Sequence, residues 1–390
     1  MIKMSAHRNI RLLTWFNFFL DFAPYNPIAV IYFSTVTGSF AAGLSILSIV
    51  SISSSLCEVP TGIFSDAIGR RKTILLGSMS ATLAIVLYAI GGSFWMLAMG
   101  AILAGLGQSF FSGNNEALLF ETLKEENNQS EYSTYLGRTS SMYQVGLAIS
   151  AIIGGFAAQH SLSLALWLSV IPQVICIIIS FFFVEPKTHE KERANVFHHL
   201  GEALRKFRTN KKLRSLSLAS IFAFGIGETM HQFGPVFISL LWPIWALGIA
   251  RMLSHVCAAL GFWFSGKIIK RFSALKVLFS GQLFNRAGSM FAYGFPTIFS
   301  PILLPVTSFF FAMGHVAQNT LLQEEFSDQQ RATMGSLNTF LGNIVFAVFA
   351  ITFGSVADKI GPGHTLLIGE ILLLPILCIY LQVFRHEASA

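Results

Sequence analysis

The sequence predicts an all-α integral membrane protein, with twelve transmembrane helices in two pseudo-symmetric six-helix bundles. Composition, the number of long apolar runs and the placement of basic residues each point there. Of 390 residues, 53% are hydrophobic and only 12% are charged, and Phe alone accounts for 38. A soluble domain carries about twice that charge. So much apolar surface cannot hide in a water-solvated core of this size, so the solvent is lipid. In hydrocarbon the backbone must close its own hydrogen bonds, which makes helices of about 20 residues the spanning element. The short alternating strands of a membrane barrel are not found.

Taken in order, the apolar runs are 11–36, 40–64, 73–93, 95–121, 133–158 and 162–184, then 214–239, 241–265, 273–294, 297–322, 332–356 and 362–384. The opening "MIKMSAHRNIRLL" leads straight into the first, with no small-residue cleavage site, so no signal peptide is expected. Between the sixth and seventh runs lies a polar, basic stretch, and it sets the domain limits at 1–184, a linker at 185–213, and 214–390. Within the linker, "FHHLGEALRKF" spaces Phe197, Leu200, Leu204 and Phe207 as an amphipathic helix on a membrane surface.

The bases fix the topology. Of 26 Lys and Arg, Arg251 and Arg286 lie inside spans and Lys359 lies between spans 11 and 12. The others sit at the termini or beside the loops after even-numbered spans. By the positive-inside rule those are cytoplasmic, as are both termini. The net charge of +7 is thus a topology signal, and no nucleic-acid partner is expected. Cys57, Cys176, Cys257 and Cys378 fall inside apolar runs, as packing residues without disulfide or metal spacing.

The halves resemble each other. "NEALLFETL" (115–123) matches "QNTLLQEEF" (318–326) at an offset of 203, and "GRRK" after span 2 corresponds to "GKIIKRF" after span 8. Parallel six-helix repeats point to a transporter with its site between the halves.

The stretch "GIFSDAIGRRKT" joins spans 2 and 3 and holds Gly62, Asp66, Gly69, Arg70, Arg71 and Lys72. At that spacing it resembles the signature loop of the major facilitator superfamily, G-x-x-x-D-x-x-G-R-R/K-x. The resemblance covers essentially the whole chain. It implies a conformational latch in which Asp66 meets Arg331 and Arg70 meets Glu121 in an outward-open state. The family's coupling Arg in span 4 is replaced by Ala101. In span 5, "GLAISAIIGG" keeps Gly146, Gly154 and Gly155 of an antiporter motif but has Ser150 and Ala151 where that motif has Gly-Pro. That remnant favours export.

Ionisable groups within spans are costly and mark function. Asp21, Glu58, Glu116, Glu228, His231, Arg251, His255 and His315 are therefore candidates for substrate or proton binding. Glu228 and His231 share a helix face at i, i+3, and Arg251 and His255 at i, i+4. Arg286, on a span the resemblance makes peripheral, is expected to pair structurally. A shielded carboxyl can load and release a proton near neutral pH.

No enzyme constellation survives. "GLGQSFFSG" has no strand before it, as a dinucleotide site requires, and the histidines lack zinc spacing. The expected function is proton-coupled secondary transport by alternating access, exporting an amphiphilic small molecule. Uptake of a small organic acid or carboxylate siderophore is one alternative, and a transport-dead receptor or scaffold another. The chain is expected to be a monomer in a bacterial inner membrane, driven by the proton gradient and without a cofactor or metal.

Overall fold

The structure is a computed structural model describing residues 2–186, 210–325 and 328–388. The proposed linker helix lies outside these residues. Among them there is no strand. The helices are α1 (Ile2–Leu20), α2 (Ala29–Thr37), α3 (Phe40–Ile68), α4 (Arg70–Ile90), α5 (Phe94–Phe111), α6 (Asn114–Glu125), α7 (Tyr132–His160) and α8 (Leu162–Phe182). They continue with α9 (Lys211–Ser239), α10 (Ile244–Phe272), α11 (Ala274–Gly294), α12 (Ser300–Glu325), α13 (Asp328–Ile360) and α14 (Pro362–Ala388).

By length and composition, nine spans among the described residues can cross a membrane. The three other expected spans are helical but carry charge. They are span 1 with Asp21, span 7 (α9) with Glu228, and span 9 (α11) with Arg286. Apolar side chains face outward along most spans, and Trp95 and Trp263 are about three-quarters exposed, as a lipid-facing surface permits.

Two compact units form. One comprises Met1–Gly38, Ser45–Glu192 and Ile244–Met252, and the other Ser39–Leu44, Arg193–Pro243 and Leu253–Ala390. Each unit repeats the same internal pairings. In the first, α4 packs on α5 and α8, and α1 packs on α7 and α8. In the second, α11 packs on α12 and α14, and α9 packs on α13 and α14. Spans 3, 4 and 6 thus correspond to 9, 10 and 12, and spans 1, 5 and 6 to 7, 11 and 12. This is the pseudo-symmetry of a duplicated bundle.

Two expected spans are not single helices. Span 1 stops at Leu20 and resumes through a short 3-10 turn (Asn26–Ile28) into α2. The segment "DFAPYNP" explains it, because each proline removes a backbone donor and disfavours helix in the residue before it. Span 4 stops at Phe111 and resumes at Asn114, with Ser112 outside the helical region and Gly113 left-handed at φ +68°. The polar groups freed at the first break find partners on α8. Gln173 Nε2 donates to the Leu20 carbonyl at 2.9 Å, and the Tyr25 N–H donates to Ser169 Oγ at 3.1 Å. Such satisfaction lets irregular backbone persist at membrane depth.

Candidate functional site

Both breaks lie in the first unit, and two candidate acids sit at them. Asp21 follows the last residue of α1, and Glu116 lies in the first turn of α6. Asp21 lies four residues after Asn17, and Glu116 directly follows Asn115. Beside Tyr143 lies a cavity of about 300 Å³, lined in part by Asn17, Ser112, Asn115 and Glu116. Neither Asp21 nor Glu116 forms an ion pair among the described residues.

Two asparagines make the cavity wall unusual. Asn17 and Asn115 are 3% and 6% exposed. Asn17 Nδ2 donates to the Thr139 carbonyl at 3.2 Å, and Asn115 Nδ2 lies 3.4 Å from the Tyr143 hydroxyl. In both, Oδ1 is buried without a hydrogen-bond partner. A main-chain carbonyl can only accept, so the Asn17 amide cannot be turned around to satisfy its oxygen. Sequence reasoning passed over both asparagines because it sought charge. The visible signal was an amide inside an apolar run, in "TWFNFFL", and one beside an acid, in "GNNEA".

Helix α6 ties this cavity to the signature loop. Asn114, at its start, accepts from Ser65 Oγ at 2.7 Å and donates to the Arg70 carbonyl at 3.1 Å. Two turns on, Glu121 Oε1 accepts from Arg70 Nε at 3.1 Å and Nη2 at 3.0 Å. The expected Arg70–Glu121 pair is therefore formed. Arg70 Nη1 also reaches Asp66 Oδ1 at 3.0 Å. The side chain of Arg331 lies outside the described residues. Leu118, Leu119 and Leu123 seat α6 in an apolar core with Phe16, Ile74, Cys176 and Phe183, so the helix is held on both faces.

Glu185, placed in the linker by its sequence position, caps α4. Its carboxylate accepts from the Arg70 and Arg71 backbone N–H groups. That contact accounts for Gly69. Its φ is +97°, and a Cβ there would sit 2.6 Å from Glu185 Oε1. Gly62, by contrast, has open space around it, and nothing in the structure explains the need for glycine there.

The span 5 glycines also have a structural account. A Cβ on Gly154 would lie 2.7 Å from the Pro24 carbonyl carbon, inside the first break, and one on Gly146 would overlap the Phe18 carbonyl oxygen. A Cβ on Gly155 would lie 2.5 Å from the Trp245 carbonyl oxygen. Close backbone approach, which small residues permit between membrane helices, thus positions the Asp21 segment against α7.

The other candidates are distributed as follows. Glu58 is exposed on α3, with Ser112 Oγ 3.5 Å from its Oε1. Glu228 Oε1 accepts from Gln232 Nε2 at 2.7 Å on α9. His231 is on α9, and Arg251 and His255 are on α10. His315 Nε2 lies 3.0 Å from Asn319 Nδ2, and Phe311 stacks on its ring. The offset of 203 sets His315 opposite Ser112 and Asn319 opposite Glu116, so span 10 carries a polar pair where span 4 breaks. Arg286 is the expected structural pair. Its Nη1 meets Glu370 Oε2 at 3.0 Å between α11 and α14, with Nη2 on Gln282 Oε1 at 3.2 Å.

Comparison with known proteins agrees with this architecture. A family model described as the Major Facilitator Superfamily matches residues 12–350. The chain is similar to the uncharacterized MFS-type transporter YxaM of Bacillus subtilis, 23% identical over 90% of each chain. It is also similar to a class D tetracycline resistance protein of Salmonella ordonez, 24% identical over 58% of this chain and 57% of that one. Among solved structures, the nucleoside transporter NupG superposes with a TM-score of 0.82 at 13% identity, covering 98% of this chain and 99% of that one. The helix pairings repeated in the two units, the signature loop bound to α6 and the family match over residues 12–350 make this protein a member of the Major Facilitator Superfamily of membrane transporters.

Proposed function

We propose that the chain is a proton-coupled secondary transporter exporting an amphiphilic small molecule by alternating access. On this reading it lies in a bacterial inner membrane with both termini cytoplasmic. The observation that carries the proposal is a polar cavity at the span 4 break, lined by Ser112, Gly113 and Glu116 and, from α1, by Asn17. Irregular backbone at membrane depth is tolerated where it lines a cavity, and transporters build their sites from such discontinuous helices. Helix α6 supplies a route for coupling. It carries Asn115 and Glu116 at the cavity and holds Arg70 through Asn114 and Glu121. A rearrangement of the signature loop is therefore felt at the cavity wall.

The direction rests on two supports. The span 5 glycines match part of an antiporter motif, and four relatives are tetracycline resistance proteins, of classes D, E, B and H. On the remaining spans, Glu228, His231, Arg251, His255 and His315 are proposed to complete the substrate and proton pathway. The acid-uptake alternative draws no support from the cavity, whose lining includes no basic side chain.

The test uses everted vesicles from bacteria producing the full chain, with tetracycline and ethidium as probes. An imposed pH gradient should drive accumulation of at least one probe, and a protonophore should collapse it. Gradient-independent probe levels, matching vesicles without the protein, would remove the proposal.

A further inference from the structure

We infer that the cavity beside α6 binds the ammonium end of the substrate, which makes the transported molecule an organic amine. The inference rests on the transport reading for its physiological meaning, but its physical basis is the cavity wall alone.

The wall is rich in acceptors and poor in cations. Asn17 Oδ1 and Asn115 Oδ1 are buried and unpartnered, and the Glu116 carboxylate lies on the same cavity. No Lys, Arg or His is among the lining residues. A buried acceptor left unpaired is unfavourable, so this lining favours a guest that brings donors. A carboxylate or phosphate would instead place its lone pairs against these oxygens.

An alkyl ammonium has three N–H donors and a compact positive charge. The Glu116 carboxylate lines the cavity as an acceptor for them, and the Asn17 oxygen lies buried without a donor just behind the lining. Hydrogen bonds to charged groups are also the stronger kind. Phe111 and Tyr143 supply aromatic surface on the same wall. At about 300 Å³ the space is at the small end of ligand pockets. It fits one end of a molecule, with the remainder outside it.

The rigidity of the wall supports selectivity. The Asn17 amide is fixed by the Thr139 carbonyl, and neighbouring Asn114 is bonded to Ser65 and Arg70. The acceptors are therefore held in place before the guest arrives, which reduces the ordering cost of binding.

The experiment compares three probes on the purified full chain in detergent, by titration calorimetry at pH 7, where an alkyl amine is charged. They are 2-phenylethylamine, 2-phenylethanol and 3-phenylpropionate, which present an ammonium, a neutral hydroxyl and a carboxylate on similar frames. The amine should bind about tenfold or more tighter than the alcohol, in keeping with hydrogen bonds to a charged group, and the carboxylate should bind weakest. Glu116→Gln, at an exposed position, should fold and reduce the amine to the level of the alcohol. Asn17→Leu should weaken amine and alcohol alike. Equal binding of carboxylate and amine would overturn the inference, as would an intact amine preference in Glu116→Gln or no binding of any probe. Labelled-amine counterflow into proteoliposomes separates the two readings. Amine-selective binding without counterflow would leave the cavity chemistry standing and remove transport. Counterflow of the carboxylate without amine preference would do the reverse.

Discussion

Replacing Gly154 with alanine should damage transport far more than it damages folding. The added Cβ would lie 2.7 Å from the Pro24 carbonyl carbon and 3.0 Å from its Cα. Ordinary contact begins at 3.4 Å, and the Pro24 carbonyl oxygen is nearer still, so α7 and the Pro24 segment must part by more than the 0.7 Å that the carbon alone requires. Overpacking of this kind costs about 1–3 kcal/mol, which a folded bundle survives. The displaced segment, however, carries Asp21 and Tyr25. The Tyr25 N–H bond to Ser169 Oγ is 3.1 Å long, so a shift approaching 1 Å breaks it. Misplacement on that scale at a working site lowers rates by about ten- to a hundredfold. The assay pairs counterflow rate in proteoliposomes with thermal unfolding of the purified protein. Gly137→Ala is the control, because it lies on the same helix with nothing within 4 Å of the new Cβ. It should keep full transport and gain up to about 1 kcal/mol from helix propensity. Wild-type transport in Gly154→Ala would refute the claim that this contact positions the break.

Three further outcomes concern the polar contacts that hold the bundles. Arg286→Gln or Glu370→Gln alone should destabilise by about 3–5 kcal/mol, whereas the double substitution should come close to wild type, because neither charge is then left buried and alone; denaturation in detergent reads both. Glu121→Gln should cost about 1–3 kcal/mol and slow transport, since Arg70 keeps Asp66 and Ser65 but loses its carboxylate on α6, and a normal turnover rate would show α6 coupling to be dispensable. Glu185→Ala should cost about 0.5–2 kcal/mol by uncapping α4, seen as earlier unfolding with substrate affinity retained.

The repeated bundle was legible because hydropathy and basic placement are properties of whole segments, and lipid enforces them along the entire chain. The Arg70–Glu121 contact was legible through the spacing of the signature loop. The breaks were written in "DFAPYNP" and "SGNN", yet a long apolar window averages over four or five residues and hides them. The cavity was least legible. Asn17 and Asn115 are neutral, so a search for costly charge ranks them low, and their importance arises only when folding leaves one oxygen of each without a donor. The role of Glu185 was hidden for a similar reason. Its neighbours in sequence are polar, but its partners are backbone amides more than a hundred residues away.

Asp21 and Glu116 should divide the work of coupling. Four of the candidate residues within spans are acids, Asp21, Glu58, Glu116 and Glu228, and their surroundings differ. Glu58 is exposed on α3, and Glu228 already accepts from Gln232. Glu116 lines the cavity, in direct reach of a guest. Asp21 stands at the break, outside the cavity lining but four residues beyond Asn17, which lines it. A carrier must exchange protons in one state and respond to substrate in another, so it belongs near the site but not in permanent contact with the guest. Asp21 meets that condition. Asp21→Asn should abolish accumulation of probe under a pH gradient while leaving probe-for-probe exchange intact, because exchange returns the transporter loaded and needs no proton step. Glu116→Gln should lower both, through loss of binding. Undiminished gradient-driven accumulation in Asp21→Asn would exclude it as the carrier. Loss of exchange together with accumulation would reassign it to the binding wall.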